Sequence, residues 1–207
     1  MYLTPIQRPY TYLDICEFKC LQSADNRKTH PDIVAFQDIF KSSFLSPETF
    51  PGTVWHTLSS VRQSKINEMY QKILSNKGIS RLLQNSLNYQ NYSFQSEGLS
   101  CLYQADAIFN ETLLSFKVTN EIDYQAFVAS VIPSLYHIEA GFAADATGLD
   151  KFILFGVQHF HPFEIFCVDL SHWSGPGGLA SGRHEYKNLL RDLKNTNFTP
   201  SSWVVPT

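Results

Sequence analysis

Apolar and polar residues alternate along residues 99–118, and this alternation limits the fold more than any other feature of the chain. In the first half, every second residue is apolar or small, at Leu99, Cys101, Tyr103, Ala105 and Ala107. In the second half, Ser115 and Lys117 share one face, and the opposite face carries Leu114, Phe116 and Val118. A period of two residues is typical of a half-buried β-strand. With a short turn at Asn110 and Glu111, the segment predicts a β-hairpin.

Helical spacing of apolar residues flanks this hairpin on both sides. Upstream, residues 54–87 predict two helices, with Gly78 placed to serve as a C-cap. Downstream, residues 124–144 predict a helix that Pro133 should kink or divide, because proline cannot donate the backbone hydrogen bond of a helix interior. Two further strands and a last helix are predicted at residues 152–157, 163–170 and about 181–194.

The order of these elements predicts the fold class. Helices, a hairpin, a helix, two strands and a final helix are typical of an α/β (α+β) domain, in which a central mixed β-sheet of about four to five strands is flanked by helices. The 207 residues, 43% of them hydrophobic, suit a single globular domain with a sizeable core. Prolines punctuate residues 1–50, so this segment is predicted to be an N-terminal arm, and residues 51–207 the globular domain.

The charge of the chain favours no class of partner by itself. The formal net charge is −3 at pH 7 and the isoelectric point is near 6.1, so the whole protein lacks the strong basicity typical of nucleic-acid-binding domains. Local charge acts within a Debye length of about 10 Å, so a basic patch can still bind phosphate. Arg62, Lys65 and Lys72 share one predicted helix face, which is either a solvated surface or a stripe that binds DNA phosphates.

The cysteines and the lack of targeting signals indicate a reducing, cytoplasmic environment. Four scattered cysteines, without a Cys-x-x-Cys pair, are too few for a disulfide framework. The N-terminus has no basic segment followed by an apolar core, and no stretch approaches the roughly 18 apolar residues of a membrane span. A soluble cytoplasmic protein without membrane association is therefore expected.

The hairpin and the following helix carry a recognisable motif. The segment GLSCLYQADAIFNETLLSFKVTN, followed by YHIEAGF, resembles the PD-(D/E)XK nuclease superfamily, in particular its exonuclease VIII and RecB-type branch. In that branch an Asp ends one strand, an Asp/Glu-x-Lys follows on the next strand, and a helix begins with Tyr-His-x-Gln. Asp106 matches the first acid, Lys117 the lysine, and Tyr136 with His137 the start of the helix motif. The resemblance covers roughly residues 52–195.

Two positions depart from this motif, and they depart together. Ser115 stands where the second metal-binding acid is usual, and Glu139 replaces the helix Gln. A neutral hydroxyl cannot replace a carboxylate as a charged ligand of a divalent metal. A subset of restriction enzymes in the superfamily, however, has Ser-x-Lys on the strand and recruits a Glu from the following helix. Resemblance to this subset implies that the second acid has moved from the strand to Glu139.

The resemblance implies a restriction-endonuclease-like core and a metal-dependent DNA nuclease, most simply an exonuclease of a phage-like or bacterial DNA recombination or repair system. The implied catalytic residues are Asp106, Ser115, Lys117 and Glu139. Asp106 and Glu139 would hold Mg²⁺ or Mn²⁺, which polarises the phosphate and acidifies a bound water. Lys117 would orient that water and stabilise negative charge, and Ser115 would position water. The implied partner is DNA. The resemblance also allows a homo-oligomer and a recombination partner protein, but specifies neither.

Two further residues resemble positions of the family. His56 lies in a Gly-x-x-x-His segment similar to one that brings a histidine close to the metal in this branch. A histidine packed beside Trp55 explains the same position equally well. Tyr136 would contact DNA or orient Lys117, and a core aromatic residue is its alternative interpretation.

Other interpretations of the same sequence stay open. A catalytically inactive nuclease-fold protein that binds DNA or a protein partner is the main alternative, because Ser115 replaces an acid. The near-neutral charge also suits an assembly protein without a role in nucleic-acid chemistry. A rival metal site would combine His159, His161 and His172, because His159 and His161 share one face in extended backbone. A zinc cluster of Cys16, Cys20 and His30 is a further alternative, although its spacing matches no familiar zinc pattern.

Overall fold

In a computed structural model, residues 8–22, 59–196 and 198–200 are described, and they form six helices and seven strands. The helices are α1 (Tyr12–Gln22), α2 (Ser60–Ser75), α3 (Lys77–Gln84), α4 (Tyr124–Ser130), α5 (Tyr136–Thr147) and α6 (Leu179–Lys194). The strands are β1 (Leu87–Asn88), β2 (Asn91–Ser96), β3 (Leu99–Gln104), β4 (Ala107–Phe109), β5 (Thr112–Thr119), β6 (Lys151–Gln158) and β7 (Ile165–Asp169). No helix within these ranges is both long and apolar enough to cross a membrane.

Five strands form one mixed sheet in the order β1-β4-β5-β6-β7. β5 and β6 are parallel, with Ser115 opposite Leu154, and the other neighbouring strands are antiparallel. A parallel pair needs a crossover connection, which here contains α4 and α5. β2 and β3 form a separate two-stranded antiparallel ribbon. The predicted fold class, a mixed sheet flanked by helices, is confirmed.

The alternation along β5 distributes its side chains between two core layers. On one face of the sheet, α2 and α3 pack against three apolar side chains of β5: Leu114, Phe116 and Val118. Leu113 belongs to the opposite layer, together with residues of α1, α5 and α6. Ser115 and Lys117 face this second layer, where both contact α5. The predicted faces of the strand are confirmed, because side chains alternate along extended backbone.

The predicted break at Pro133 divides one helical segment into α4 and α5. α4 ends at Ser130 and α5 begins at Tyr136. Between them Leu135 has a positive φ of 62°, which turns the chain out of the first helix direction. Proline favours such a break because it has no N–H for the helix ladder. Glu139 consequently lies in the first turn of α5.

α5 and α6 approach each other closely at two glycines. A Cβ at Gly182 would lie 1.6 Å from the His137 carbonyl oxygen, and one at Gly141 would lie 2.2 Å from Arg183 N. A side chain at either position would collide with the backbone of the facing helix, so only glycine permits this contact. The contact holds α5 between α6 and the sheet and thereby positions Glu139 next to β5.

Residues 8–22 are part of the main core. The Tyr10 N–H donates to Ser100 O, and the Tyr10 carbonyl accepts from the Leu102 N–H, both at 2.8 Å. Ile15 and Phe18 of α1 are buried in the same layer as α5 and α6. The prolines that predict an arm mark only local breaks in the chain, and packing against β3 and α6 decides where this stretch lies. The predicted boundary at residue 50 falls outside the described ranges and stays a prediction.

The predicted C-cap at Gly78 is wrong. α2 ends at Ser75, and Asn76 separates it from α3. The Asn76 side chain accepts hydrogen bonds from the N–H groups of Gly78 and Ile79, at 3.1 and 3.2 Å. Asparagine is a preferred N-cap residue because its carboxamide satisfies N–H groups that the first helical turn leaves unpaired. Gly78 lies inside that first turn.

Candidate active site

Asp106 lies at the break between β3 and β4, where the chain passes from the ribbon into the five-stranded sheet. The Ala105 N–H donates to Gln90 O, just before β2 of the ribbon, at 2.9 Å. From Ala107 onward the chain pairs with β5 instead. Asp106 Oδ2 accepts the Phe116 N–H of β5 at 2.9 Å. The carboxylate thus takes the place of a ladder carbonyl, and this bond fixes its orientation beside β5.

The Glu139 side chain extends from α5 to Ser115 on β5. It is 4% exposed, and its Oε1 lies 2.9 Å from Ser115 Oγ. Ser115 is fully buried, and its Oγ also lies 3.3 Å from Asp106 Oδ2. A hydroxyl has one proton, so Ser115 donates to one of the two carboxylates at a time. One small side chain therefore joins both acids.

Lys117 brings a positive charge to the two carboxylates. Its Nζ lies 2.9 Å from Glu139 Oε1 and 2.8 Å from Oε2, and its side chain is 15% exposed. Burial lowers the pKa of Lys117, but the nearby charges of Glu139 and Asp106 outweigh burial, and the net pKa is raised above its ordinary value. The ammonium is therefore charged at any physiological pH.

The charge balance of this cluster suits an additional cation. Asp106 and Glu139 carry two formal negative charges against the single positive charge of Lys117. Glu139 Oε2 is buried and, although 2.8 Å from Lys117 Nζ, accepts no well-directed hydrogen bond from the described part of the chain. Its ion pair with Lys117 offsets part of the cost of burying this oxygen, and a metal ion or a water can supply the contact that the missing hydrogen bond leaves open. The donors fit a hard divalent ion such as Mg²⁺, which typically binds one or two carboxylates and keeps several waters.

The rival metal site of His159, His161 and His172 is not assembled. Within the described ranges, no group of three or more His, Cys, Asp or Glu side chains could hold a metal ion. His159 follows β6 and His172 follows β7, so the antiparallel pairing places them at opposite ends of these strands. Burial raises the pKa of the Cys16 thiol to about 12, which disfavours the thiolate that binds metals. His30 and His56 lie outside the described residues, so the proposed approach of His56 to a metal stays a prediction.

A cavity of about 330 Å³ opens beside the carboxylates. Asp106, Lys117 and Glu139 are among its lining residues. The others come from the start of α1, from the ribbon and from β5: Thr11, Tyr12, Leu13, Asn91, Leu102, Tyr103, Gln104 and Phe116. Sequence reasoning missed Tyr12 and its neighbours, because they precede the motif by about a hundred residues and carry no periodic signal that links them to it.

Tyr12, near the N-terminus, contacts the charged cluster through Lys117. Its O–H donates to Leu135 O at 3.3 Å, and its ring centroid lies 6.0 Å from Lys117 Nζ, within cation–π range. Burial raises the pKa of Tyr12 well above its ordinary value, so the phenol is neutral. The segment assigned to an N-terminal arm therefore supplies one wall of the cavity.

Tyr136 and His137 begin α5 but do not line the cavity. The centroid of the Tyr136 ring lies 6.4 Å from that of Phe127. Burial raises the pKa of Tyr136, although the positive charge of Lys117 acts in the opposite direction. His137 is 1% exposed, and its Nε2 lies 2.7 Å from Glu185 Oε2 on α6. His137 thus joins two helices, and the DNA-binding role of Tyr136 stays a prediction.

Arg62, Lys65 and Lys72 lie on α2, across the sheet from the carboxylates. α2 buries its apolar residues against the face of the sheet opposite to α5. Arg62 and Lys72 are exposed, and Lys65 Nζ lies 3.4 Å from His159 Nδ1. The structure does not bring these three cations to the cavity, and their role in DNA binding stays a prediction.

Comparisons with known proteins identify the fold but no family. No family model and no curated protein matches the chain. Among solved structures, a candidate exonuclease from Eubacterium rectale is similar, with a TM-score of 0.63 and 12% identity over 97% of this chain and 89% of that chain. A phage-related exonuclease from Haemophilus somnus 129PT matches with a TM-score of 0.39 and 13% identity over 77% of this chain and 82% of that one. The first match shows that the described part of the chain shares its fold with the Eubacterium rectale protein.

Proposed function

We propose that this protein is a metal-dependent deoxyribonuclease, most simply an exonuclease, that hydrolyses phosphodiester bonds. The observation that carries the proposal is the convergence of Asp106, Glu139 and Lys117 around the buried Ser115 hydroxyl, at the wall of a cavity. Two carboxylates beside a lysine are the side chains that metal-assisted phosphodiester hydrolysis needs. The PD-(D/E)XK resemblance and the fold shared with the Eubacterium rectale candidate exonuclease support the same activity.

Asp106 and Glu139 are the proposed ligands of Mg²⁺ or Mn²⁺. When bound, such an ion polarises the phosphate and lowers the pKa of a coordinated water. The Phe116 N–H orients Asp106, and the Ser115 hydroxyl orients Glu139. Both carboxylates are thus held in place before a substrate arrives, which favours binding and catalysis because less reorganisation is needed.

Lys117 is the proposed phosphate-binding residue. It lines the cavity, and its raised pKa keeps the ammonium charged. An ammonium next to a phosphate oxygen stabilises the negative charge that develops during hydrolysis. Without a substrate, the same ammonium neutralises Glu139.

Ser115 and Glu139 form a matched pair. An acid at position 115 would place a third carboxylate within hydrogen-bonding distance of Asp106 and Glu139. Like charges at this distance in a buried site are unfavourable, and one of the acids would become protonated. A neutral hydroxyl avoids this repulsion and donates to the carboxylates, so Ser115 is compatible with an acid that comes from the helix.

A catalytically inactive nuclease-fold protein that binds DNA or a protein partner is the second candidate. The observation that favours it is the ion pair between Lys117 Nζ and both oxygens of Glu139, at 2.9 and 2.8 Å. A permanent ion pair would withhold Glu139 from a metal. Calorimetric titration with Mn²⁺ separates the candidates: binding that Glu139→Gln abolishes supports the nuclease, and absence of binding supports the inactive protein.

DNA cleavage by the full-length protein tests the leading proposal. Linear duplex, closed circular duplex and single-stranded DNA are incubated with Mg²⁺, with Mn²⁺ or with a chelator. We expect metal-dependent degradation of linear DNA and an intact closed circle. Asp106→Asn and Glu139→Gln should abolish cleavage, whereas Asp145→Asn, which changes an acid of α5 outside the cavity, should retain it. Absence of cleavage under every condition, or full activity of Glu139→Gln, contradicts the proposal.

The proposed setting is DNA recombination or repair of a phage-like or bacterial kind, which the motif resemblance supports. A homo-oligomer and a recombination partner protein belong to the same proposal. Sedimentation velocity of the purified chain, alone and with linear DNA, measures the first, and a single monomeric species in both samples contradicts it.

A further inference from the structure

We propose that the cavity beside the carboxylates binds one nucleobase of the DNA strand, next to the phosphate that is cleaved. This inference rests on the proposed nuclease function and names the part of the substrate that the protein recognises. The base stacks on the ring of Tyr12, which lies in the segment before α2 that carries no family motif.

The cavity is continuous with the proposed reaction centre. Asp106, Lys117 and Glu139 line it, so a phosphate in contact with Lys117 has its attached nucleoside in the same cavity. The volume of about 330 Å³ is at the small end of ligand sites, which span roughly 300–1,000 Å³. Such a space suits the base of one nucleoside better than it suits a base pair. We therefore infer that the base that enters is unpaired.

The remaining walls suit the flat face of a base better than a second phosphate. Tyr12 and Tyr103 contribute aromatic rings, and Leu13 and Leu102 contribute aliphatic side chains. None of these four carries a charge that would attract the DNA backbone. Leu13 is 71% exposed, so a ligand in the cavity would cover it. Aromatic side chains stack on unpaired bases in proteins that bind single strands with little sequence preference.

Tyr12 is ordered before any ligand binds. Its O–H donates to Leu135 O, and the preceding Tyr10 pairs with β3 through two backbone hydrogen bonds. Thr11 and Asp14 close the first turn of α1, because Asp14 Oδ2 accepts from Thr11 N at 2.8 Å and from Thr11 Oγ1 at 2.7 Å. A ring that is already ordered loses little conformational entropy on stacking, which favours affinity.

The Tyr12 ring and the Lys117 ammonium lie close together at the cavity wall. The Tyr12 ring centroid lies 6.0 Å from Lys117 Nζ. A base that stacks on this ring has its phosphate within reach of the ammonium. One nucleotide can therefore occupy the aromatic wall and the charged cluster together.

Two amide side chains supply polar groups for the edge of the base. Asn91 and Gln104 lie opposite each other on β2 and β3, and Gln104 Nε2 is 3.3 Å from Asn91 Oδ1. Both are exposed and line the cavity. Their mutual bond leaves the Asn91 amide as a donor and the Gln104 carbonyl as an acceptor. Uncharged amides can bond to a base edge, as they do in the grooves of DNA, without attracting phosphates.

Titration with mononucleotides tests the inference without any cleavage. The full-length protein, with Mg²⁺ present, is titrated with a deoxynucleoside 5′-monophosphate, with deoxyribose 5-phosphate, which lacks the base, and with inorganic phosphate. We expect the nucleotide to bind at least about 10-fold more tightly than deoxyribose 5-phosphate, because stacking on an aromatic side chain contributes about this factor. Equal affinities of these two ligands overturn the inference.

Variants of Tyr12 identify the stacking ring. Tyr12→Leu retains much of the bulk without an aromatic face and should lose the preference for the nucleotide, whereas Tyr12→Phe should retain it. Tyr124→Leu, at an exposed tyrosine of α4 outside the cavity, is the matched control and should also retain it. Thermal unfolding measures whether Tyr12→Leu is folded. If it is not, Leu13→Ala serves instead, because it changes an exposed side chain of the same cavity and should weaken the preference for the nucleotide. If a folded Tyr12→Leu variant still prefers the nucleotide as strongly as the wild type does, stacking on Tyr12 is contradicted. If Tyr12→Leu is unfolded, an undiminished preference in Leu13→Ala contradicts the base site.

The base site and the nuclease proposal fail in different experiments. A protein that prefers the nucleotide but cleaves no DNA retains the base site and loses the nuclease proposal. A protein that cleaves DNA but binds nucleotide and deoxyribose 5-phosphate equally retains the nuclease proposal and loses the base site. In an active protein, an abasic residue next to the scissile phosphate should raise KM for the wild type by about 10-fold and leave KM for Tyr12→Leu nearly unchanged.

Discussion

α5 carries a charged cluster towards each end, and the two clusters are built differently. In its first turn, Glu139 meets Lys117 and Ser115, and Asp106 adds a second carboxylate. Towards its C-terminal end, Asp145 meets two cations and a phenol of α6. Lys187 Nζ lies 2.7 Å from Asp145 Oδ2, and the Tyr186 O–H donates to the same oxygen at 2.5 Å.

The clusters differ in charge compensation and in access. Arg183 Nε lies 2.5 Å from Asp145, close enough for an ion pair though not aligned for a hydrogen bond, and Arg183 Nη2 lies 2.9 Å from Asp150. Two acids therefore meet two cations there, at a partly exposed surface. The cluster around Glu139 has two acids for one cation and opens into the cavity; Glu139 is buried and Asp106 is half-buried. A net negative charge beside a cavity marks a candidate site, whereas a neutral surface network indicates a structural role.

The largest expected effect is a difference in kcat between variants of Lys117 and Lys187. Lys117→Ala should reduce kcat for DNA cleavage by about 10²–10³-fold, because it removes the charge that we propose stabilises the developing phosphate charge. Lys187→Ala removes the equivalent cation of the Asp145 cluster and should leave kcat unchanged. Steady-state cleavage of linear DNA measures both. Similar rates for the two variants would remove the distinction between the clusters.

Metal binding should stabilise only the cluster with uncompensated charge. At a Mn²⁺ concentration about 100 times its Kd, the free energy of unfolding of the wild type should increase by about 2.7 kcal/mol. Glu139→Gln should lose this increase, because one of the two proposed ligands is then neutral, and Asp145→Asn should keep it. Urea unfolding with and without Mn²⁺ provides the measurement. A gain that persists in Glu139→Gln would place the metal elsewhere.

The hydroxyl that joins the two acids should have an intermediate effect. Ser115→Ala removes the group that orients Glu139 and Asp106, and partners of this kind typically contribute about 10–100-fold to metal affinity or activity. Ser130→Ala is the matched control, because Ser130 is a buried serine whose hydroxyl donates to Phe127 O on α4. Cleavage rates at several Mg²⁺ concentrations test whether the loss is one of metal affinity. Equal losses in both variants would indicate a packing defect.

The smallest effect concerns the pH dependence of the Asp145 cluster. Burial alone would raise the pKa of Asp145, but hydrogen bonds from Lys187 and Tyr186 and the charge of Arg183 lower it. A lowered pKa in the folded state adds stability above the unfolded pKa of about 3.9, and this stability disappears as the pH falls through the folded pKa. Asp145→Asn should therefore cost less than about 1 kcal/mol at pH 7 and nothing in strong acid. Urea unfolding at both pH values measures this, and a cost that grows in acid contradicts it.

Part of the candidate site was predictable because it depends on local periodicity. The alternation of β5 places Ser115 and Lys117 on one face, and the turn at Asn110 and Glu111 brings Asp106 alongside. Gly78 shows the limit of the same reasoning. A glycine near a helix end suits a C-cap, but the side-chain carboxamide of Asn76 caps the start of α3 and so sets the boundary between α2 and α3.

Contacts between distant parts of the chain were not predictable in this way. The ribbon of β2 and β3 interrupts the predicted strand at Asp106, because β3 pairs with residues 91–96 and not with β5. Tyr12 reaches the cavity through Tyr10, which pairs with β3, and through Leu135, which accepts its hydrogen bond. No local pattern reports such pairings, since they depend on which surfaces remain available after the helices and strands have formed.

The chemistry of the centre and its placement thus have different origins. Residue types and a two-residue period are enough to put a serine and a lysine on one strand face, because side-chain direction in extended backbone is a local property. The approach of Glu139 to that face required the close contact of α5 with α6 at Gly141 and Gly182. The aromatic wall of the cavity required α1 to pack against the body of the domain. Both are consequences of long-range packing, which only the folded chain establishes.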